Sequence, residues 1–256
     1  MDINLLVFAI GNSRLHAGAF VAGELKVVRH LPADVPEDWP AMITDIWKEF
    51  GDATAEITAA SVVPTLNSAL DKAVNDVLGQ DIEWVGSDID LPITVTTKEP
   101  RKTGIDRVLV TAAAYEQLKK ACVVVDAGTA ITVNFCNNEG ALVGGAILPG
   151  VSTMIDALHD RTAQLPKITF ETPTSDFGVD TTDAIRHGIS GAVRGLVQNM
   201  AERWAEQMGT WPEVIATGGD AAALFADWEI VHAISPDLLM YGIALAYTEH
   251  QIKHGA

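Results

Sequence analysis

The chain writes one phrase twice. Residues 5–20 read "LLVFAIGNSRLHAGAF": an apolar run, a Gly-Asn turn, then a stretch of mixed polarity. Residues 122–135 read "CVVVDAGTAITVNF" and are built the same way, except that the apolar run ends in Asp126 where the first has Ala9. The likeness extends past the phrase. After "LLVFAI" and "SRLHAGAFV", the turn Ala22-Gly23-Glu24 leads into "LKVVRHL", which predicts a three-strand meander; "ACVVVDAG", "TAITVNFC", the turn "NNEG" and "ALVGGAILPG" repeat that order at nearly the same spacing.

Helical periodicity follows each meander. In the first half "EDWPAMITDIWKEF" gives way to a buried-strand pattern, "AEITAASVVP", then to "TLNSALDKAVNDVLG" and the short strand "IEWVG". The second half has "VSTMIDALHDRTAQL" and a long helical stretch from Thr181 to Met208 carrying Gly188, Gly191 and Gly195. It continues with the strand in "PEVIATGGD", the helix "AAALFADW" and the strand "EIVHAI". Both halves thus predict a β-β-β-α-β-α-β plan, an α/β fold with helices covering mixed sheets. The helix "DRVLVTAAAYEQLKKA" connects the halves and "DLLMYGIALAYTEHQI" closes the chain, with no Pro/Ser-rich linker between.

Charge removes some classes of partner. A net charge of -17 with only 17 Lys and Arg leaves no basic face for a phosphate backbone, so neither nucleic acid nor an anionic membrane is expected as partner. The 256 residues, 48% of them hydrophobic, suffice for one large core or two domains. Cys122 and Cys136 fall on neighbouring predicted strands and read as reduced core residues of a cytoplasmic protein. His159 and His187 have no partner at metal-ligand spacing and read as surface or capping residues.

Three short motifs can carry chemistry. Asp126-Ala127-Gly128-Thr129 ends a strand with a carboxylate, a glycine where backbone can approach a ligand, and a hydroxyl, which suits a phosphate-and-cation loop; an ordinary Asp-Ala-Gly turn fits as well. Thr217-Gly218-Gly219-Asp220 opens a helix after a strand, either to seat an adenosine against backbone or as a plain turn with Asp220 as N-cap. Gly104-Ile105-Asp106-Arg107 sets a carboxylate beside a guanidinium at a loop-helix junction, as a helix cap with an ion pair or as a general base next to an anion clamp. Spacing does not choose between them.

The duplicated plan resembles that of the actin, sugar-kinase and Hsp70 superfamily. That resemblance implies two duplicated ribonuclease-H-like domains, residues 1–117 and 118–256, flanking a nucleotide cleft that the two glycine turns enter from opposite sides. Within it, Gly104-Ile105-Asp106-Arg107 is similar to the Gly-x-Asp-Arg motif of type III pantothenate kinases. The same family's other marks follow in register: "SVVP" at 61–64, "DAGTAITV" at 126–133, "GGAILPG" at 144–150, "RTAQLP" at 161–166, "TTDAIRHGI" at 181–189 and "IATGGD" at 215–220.

The resemblance implies ATP-dependent phosphorylation of pantothenate with Mg2+ and a monovalent cation, K+ or NH4+, by a homodimer. It makes Asp106 the general base and Arg107 the partner of the pantothenate carboxylate, with Gly104 and Thr181 beside that substrate. Asp126 holds the monovalent cation, and Gly11, Asn12, Ser13, Thr129, Gly218 and Gly219 hold ATP. Two positions depart from the pattern. The family's first phosphate loop reads Asp-x-Gly-Asn-Thr, whereas this chain has Ala9-Ile10-Gly11-Asn12-Ser13, and Asp2 is a strand length away; Ala9 is expected to face the cleft opposite Asp126. Thr97 stands where members often carry Tyr. A non-catalytic homologue that binds nucleotide or pantothenate, or a kinase for another small carboxylate-bearing alcohol, is the alternative.

Overall fold

The computed structural model describes residues 3–254, so Asp2 lies outside the described residues. The chain forms two compact units. One takes the chain up to Val95, Glu99–Ala113 and everything from Asp237 onward; the other takes Thr96–Lys98 and Ala114–Pro236.

The first unit contains β1 (Leu5–Ile10), β2 (Arg14–Val21), β3 (Glu24–Pro32), α1 (Trp39–Trp47), β4 (Glu56–Ser61), α2 (Asn67–Leu78) and β5 (Glu83–Trp84), in the order the sequence predicts. Its sheet runs β3-β2-β1-β4-β5. The meander pairs antiparallel, and β4 and β5 join parallel to β1. All six residues of β1 are buried, because both faces of the strand are covered. Leu6, Phe8 and Ile10 join Trp39, Ile43, Ile46, Leu70 and Val74 of α1 and α2 in one core. Leu5, Val7 and Ala9 join the opposite core with Leu109 and with Met240, Ile243 and Tyr247 of a closing helix. This period of two is the ordinary alternation of strand side chains.

Two further helices serve the first unit. α3 (Ile105–Leu118) begins in it, and the last helix of the chain, Leu238–His254, packs on β1 and β4. Gly242 of that closing helix permits a very close approach: a Cβ there would sit 2.2 Å from the carbonyl oxygen of Leu109. The start of α3 is therefore clamped against a helix that arrives from the far end of the sequence.

The second unit contains β6 (Cys122–Ala127), β7 (Ala130–Cys136), β8 (Leu142–Pro149), α4 (Val151–Arg161), α5 (Thr181–Met208), β9 (Glu213–Thr217), α6 (Ala221–Phe225) and β10 (Ala233–Ile234); the closing helix is α7. Its sheet order, β10-β9-β6-β7-β8, and strand directions match those of the first. Val123, Val125 and Ala127 pack on Ile185, Ile189, Val193 and Val197 of α5. Two helices, α4 and α5, lie between the third and fourth strands where the first unit has one, so the plans differ by a helix. "AAALFADW" and "EIVHAI" form shorter elements than expected, since Trp228 N–H bonds Phe225 O in a turn and only Ala233 and Ile234 reach the ladder.

The repetition reaches the hydrogen-bond register. Ala9 is the fifth residue of β1 and pairs with Ala60 of β4; Asp126 is the fifth of β6 and pairs with Thr217 of β9. Each third strand ends on a proline, Pro32 or Pro149, set against the first residue of the second strand, Arg14 or Ala130. A proline has no N–H for the ladder and marks its end. Each second hairpin also carries an irregularity after the sixth residue of its second strand, between Ala19 and Phe20 and between Phe135 and Cys136. Among the described residues, no helix is long and apolar enough to cross a membrane.

Cys122 and Cys136 face each other as Cα partners and are free and buried. Their mutual hydrogen bond, then burial, pushes the Cys122 thiol well above its usual pKa. Thiolate chemistry at neutral pH is thereby suppressed.

Candidate active site

Both glycine turns follow a buried strand and close in the same manner. Gly11 N–H donates to Arg14 O at 2.9 Å, and Gly128 N–H donates to Ala130 O at 3.2 Å. In the first unit, Asn12 and Ser13 are exposed on the turn, and Ser13 O accepts from Ala33 N–H at 3.1 Å. Ala9, below it, is only 4% exposed and lies in the core with Leu5, Val7, Ala60, Val85, Ile89 and Leu109. Position 9 is thus packed among apolar side chains, with a methyl-sized neighbour at 60.

One side chain beside Ala9 carries no signal in the sequence. His16 is the direct antiparallel partner of Ala9, so the two share a face of the sheet, and His30 partners His16 on the other side. The His16 and His30 rings lie 5.8 Å apart. Burial, then the His30 and Arg14 charges, lowers the pKa of His16 from 6.5 to about 4. The folded state thus binds fewer protons than the unfolded state between these values, and this group's contribution to stability falls as pH drops through that window. Replacing it by His16→Val should remove up to roughly 3 kcal/mol of stability loss between neutral pH and pH 4. Urea midpoints of parent and variant at both pH values measure this.

At the head of α3, Asp106 Oδ1 accepts the Arg107 N–H at 2.8 Å. The carboxylate folds back so far that a Cβ on Gly104 would lie 2.6 Å from the same oxygen, so a side chain at 104 would make the carboxylate swing away from this position. A carboxylate in the first turn is held by helix N–H groups and their dipole. Arg107 is half-buried; desolvation lowers its pKa while the Asp106 charge opposes that. Its carbonyl accepts the Thr111 hydroxyl at 2.7 Å. Base and guanidinium candidates therefore sit on consecutive residues of a helix start that α7 pins in place.

In the second unit, two motifs far apart in sequence meet. Asp126 and Thr217 are paired near the C-terminal ends of adjacent parallel strands, where open α/β sheets receive ligands. Asp220 N–H donates to Ala127 O at 3.1 Å. Gly218 has φ +92°, and a Cβ on it would lie 2.6 Å from Asp126 Oδ1 and from the Ala127 carbonyl. Asp220 stands at the N-cap position of α6, though its side chain makes no capping bond to that helix. Gly218→Ala should cost roughly 2–4 kcal/mol, from left-handed strain and backbone overlap. Chemical denaturation of parent and variant checks it.

The Thr129 carbonyl is fixed twice, by Gly150 N–H at 3.0 Å and by the Thr153 hydroxyl at 3.0 Å. A Cβ on Gly150 would lie 2.2 Å from Gly128 O. Gly150 and Thr153 thus hold the Asp126–Thr129 turn, a role foreshadowed only by the Pro149-Gly150 step before α4. Thr181 opens α5 in another network: Asp180 caps the helix through Asp183 N–H, and Ser175 bonds both Asp183 and His187. Thr97 lies in Thr96–Lys98, a short stretch that goes with the second unit, where Thr96 N–H donates to Leu142 O.

Known proteins align with this arrangement along nearly the whole chain. The model of the family "Type III pantothenate kinase" matches residues 5–203. The type III pantothenate kinase of Persephonella marina is 32% identical, covering 96% of this chain and 99% of its own length; that of Dehalococcoides mccartyi is 30% identical, covering 98% and 100%. Among solved structures, a conserved putative Baf family transcriptional activator from Campylobacter jejuni superposes with a TM-score of 0.63 at 22% identity, covering 95% of this chain and 98% of that one. MreB 5 of Spiroplasma citri does so with 0.53 at 10% identity, each chain fully covered. The structures share the fold alone. The full-length relatives and the family model, together with the Gly104–Arg107 corner and the Asp126–Gly218 clasp, make this chain a member of the type III pantothenate kinase family.

Proposed function

We infer that this chain transfers the γ-phosphoryl group of ATP to the 4'-hydroxyl of pantothenate, the first step of coenzyme A biosynthesis. The observation that carries the residue roles is the corner at α3, where Gly104 makes room for a carboxylate that turns back beside a half-buried guanidinium. Asp106 is the base: it takes the hydroxyl proton as the oxygen attacks phosphorus. Arg107 receives the pantothenate carboxylate, and its partial burial strengthens a charge-assisted pair. Thr181 adds a hydroxyl to the same substrate.

The finer architecture belongs to this reading. Each unit is taken as one ribonuclease-H-like half, with the segment from Asp237 onward completing the first rather than the second. Gly11, Asn12 and Ser13 of the first unit, and Thr129 of the second, are N–H and hydroxyl donors suited to phosphate. Gly218 and Gly219 let adenosine lie against backbone. Asp126 together with the oxygen donors of its turn is a hard-oxygen set of the kind that K+ and Mg2+ accept, so the residues fit the cations. ATP with Mg2+ supplies the phosphoryl group and neutralises its charge. What the protein supplies is alignment, one base and fixed donors, which suffices for a loose transition state.

A homodimer completes the proposal. Gly188, Gly191 and Gly195 lie along an exposed stripe of α5, and beyond the adjoining helix backbone none would bring a Cβ within 4 Å of another atom among the described residues. Sedimentation at micromolar concentration should give a dimer. In a monomer Gly195→Ala would gain roughly 1 kcal/mol of helix propensity; in the dimer it should instead weaken association. A parent that sediments as a monomer overturns this part.

The buried Ala9 favours a second reading, a homologue that binds nucleotide or pantothenate without turnover. ADP release coupled to pantothenate consumption, with and without K+, separates the two. Potassium-dependent turnover is expected; binding of both ligands with no turnover would establish the second.

A further inference from the structure

We propose that Asp90, His250 and His254 form a divalent transition-metal site, of the zinc class, that fastens the last turns of α7 to the turn after β5. The site lies within the first unit and uses none of the residues assigned above to the kinase reaction.

α7 presents its two histidines at i and i+4, one helical turn apart on one face. Their rings lie 4.5 Å apart. His254 Nε2 is 3.9 Å from Asp90 Oδ2, and one ligand atom from each of the three residues lies within 4.8 Å of the others. Tetrahedral zinc with bonds near 2.0–2.1 Å spaces its ligand atoms by about 3.3 Å. Small side-chain rotations close that difference, and the backbone need not move.

Both supports are rigid. The turn bearing Asp90 is held by the Val85–Ile89 bridge, by Gly86 N–H donating to Ile89 O at 2.7 Å, and by the Asp88 carboxylate accepting Trp84 N–H at 2.8 Å. Ile89, next to Asp90, is buried in the core that also holds Ala246 and Tyr247, one turn before His250. Core packing therefore fixes the backbone positions that carry Asp90 and His250 relative to each other.

A second observation points to a ligand. Nδ1 of His250 is buried and has no hydrogen-bond partner among the described residues. A buried polar nitrogen without a partner is costly, and native structures seldom leave one. Metal ligation at Nδ1 would give it the partner that the protein withholds. Two imidazoles and one carboxylate with remaining positions open to water suit zinc, cobalt or nickel, whereas magnesium prefers an all-oxygen shell, so the cation of the reaction does not compete.

The test uses the full, untagged chain in excess Mg2+. Zn2+ is titrated calorimetrically, and Co2+ is followed by its visible absorption. A single ion per chain is expected, with an intense tetrahedral cobalt spectrum free of thiolate charge-transfer bands. Asp90 and His254 are exposed, so Asp90→Asn and His254→Ala leave the fold intact; each should weaken Zn2+ binding by about tenfold or more. Hydrogen exchange in the last two turns of α7 should slow with Zn2+ in the parent and not in His254→Ala. No binding in the micromolar range, affinity unchanged in both variants, or thiolate bands that place the ion on Cys122 and Cys136 would each overturn the proposal. Pantothenate kinase activity need not be present for any of these readouts, so their failure is distinct from failure of the functional assignment.

Discussion

Asp106→Asn is expected to lower kcat by roughly 10²–10⁴, the usual loss for a general base, while leaving the KM for pantothenate within a few-fold. The amide keeps an acceptor oxygen for the Arg107 N–H, so the corner at α3 survives. Stability should fall by about 1 kcal/mol at most, the worth of one carboxylate at a helix N-terminus. Arg107→Ala should act in the opposite sense, raising KM by roughly 10- to 100-fold through loss of a charge-assisted bond with kcat less affected. Initial rates for the two variants, with urea unfolding to exclude collapse, decide the matter. Equal effects on kcat and KM in both would mean that the two roles are misassigned.

Ala9→Asp should divide stability according to ligand. Position 9 is 4% exposed and surrounded by Val7, Ala60, Val85 and Leu109. A carboxylate placed there without a counter-charge is desolvated, so its pKa rises and the fold loses about 3–5 kcal/mol. If the residue occupies the place where other members keep an acid for the metal-phosphate group, Mg-ATP should return much of that loss and speed turnover above the parent. Denaturation curves with and without Mg-ATP, beside steady-state rates, provide the measurement. A variant weakened equally in both buffers, and no faster, would show that position 9 is simply core in this chain.

The strands and their order were legible because apolar runs bounded by glycine turns have few alternatives, and α5 was legible to its end residues. The limits of α6 and β10 were not, since a turn at Phe225–Trp228 uses the same small and apolar residues as a helix. At the site, sequence exposed Asp106, Arg107 and the glycine motifs as candidates. It could not show that Asp106 folds back over Gly104 or that the Ala127 backbone and a left-handed φ require glycine at 218, because those contacts depend on backbone direction. Nor could it show the burial of Ala9 or its pairing with His16, both products of register across a turn. The Asp90, His250 and His254 cluster was invisible for a simpler reason: its members are brought together only when the closing helix returns to the first sheet.

The two glycine turns have a consequence that their likeness hides. Three residues, 11 to 13, separate β1 from β2, whereas only Gly128 and Thr129 separate β6 from β7. The hydroxyl of Thr129 thus follows its glycine directly, and that of Ser13 comes after an asparagine spacer. Equal turns on equal hairpins would present the same face twice and suit a ligand with interchangeable ends. A single inserted residue makes the repeated framework unlike itself at its turns: the second sets its hydroxyl one residue nearer the glycine than the first, so the two turns are not interchangeable.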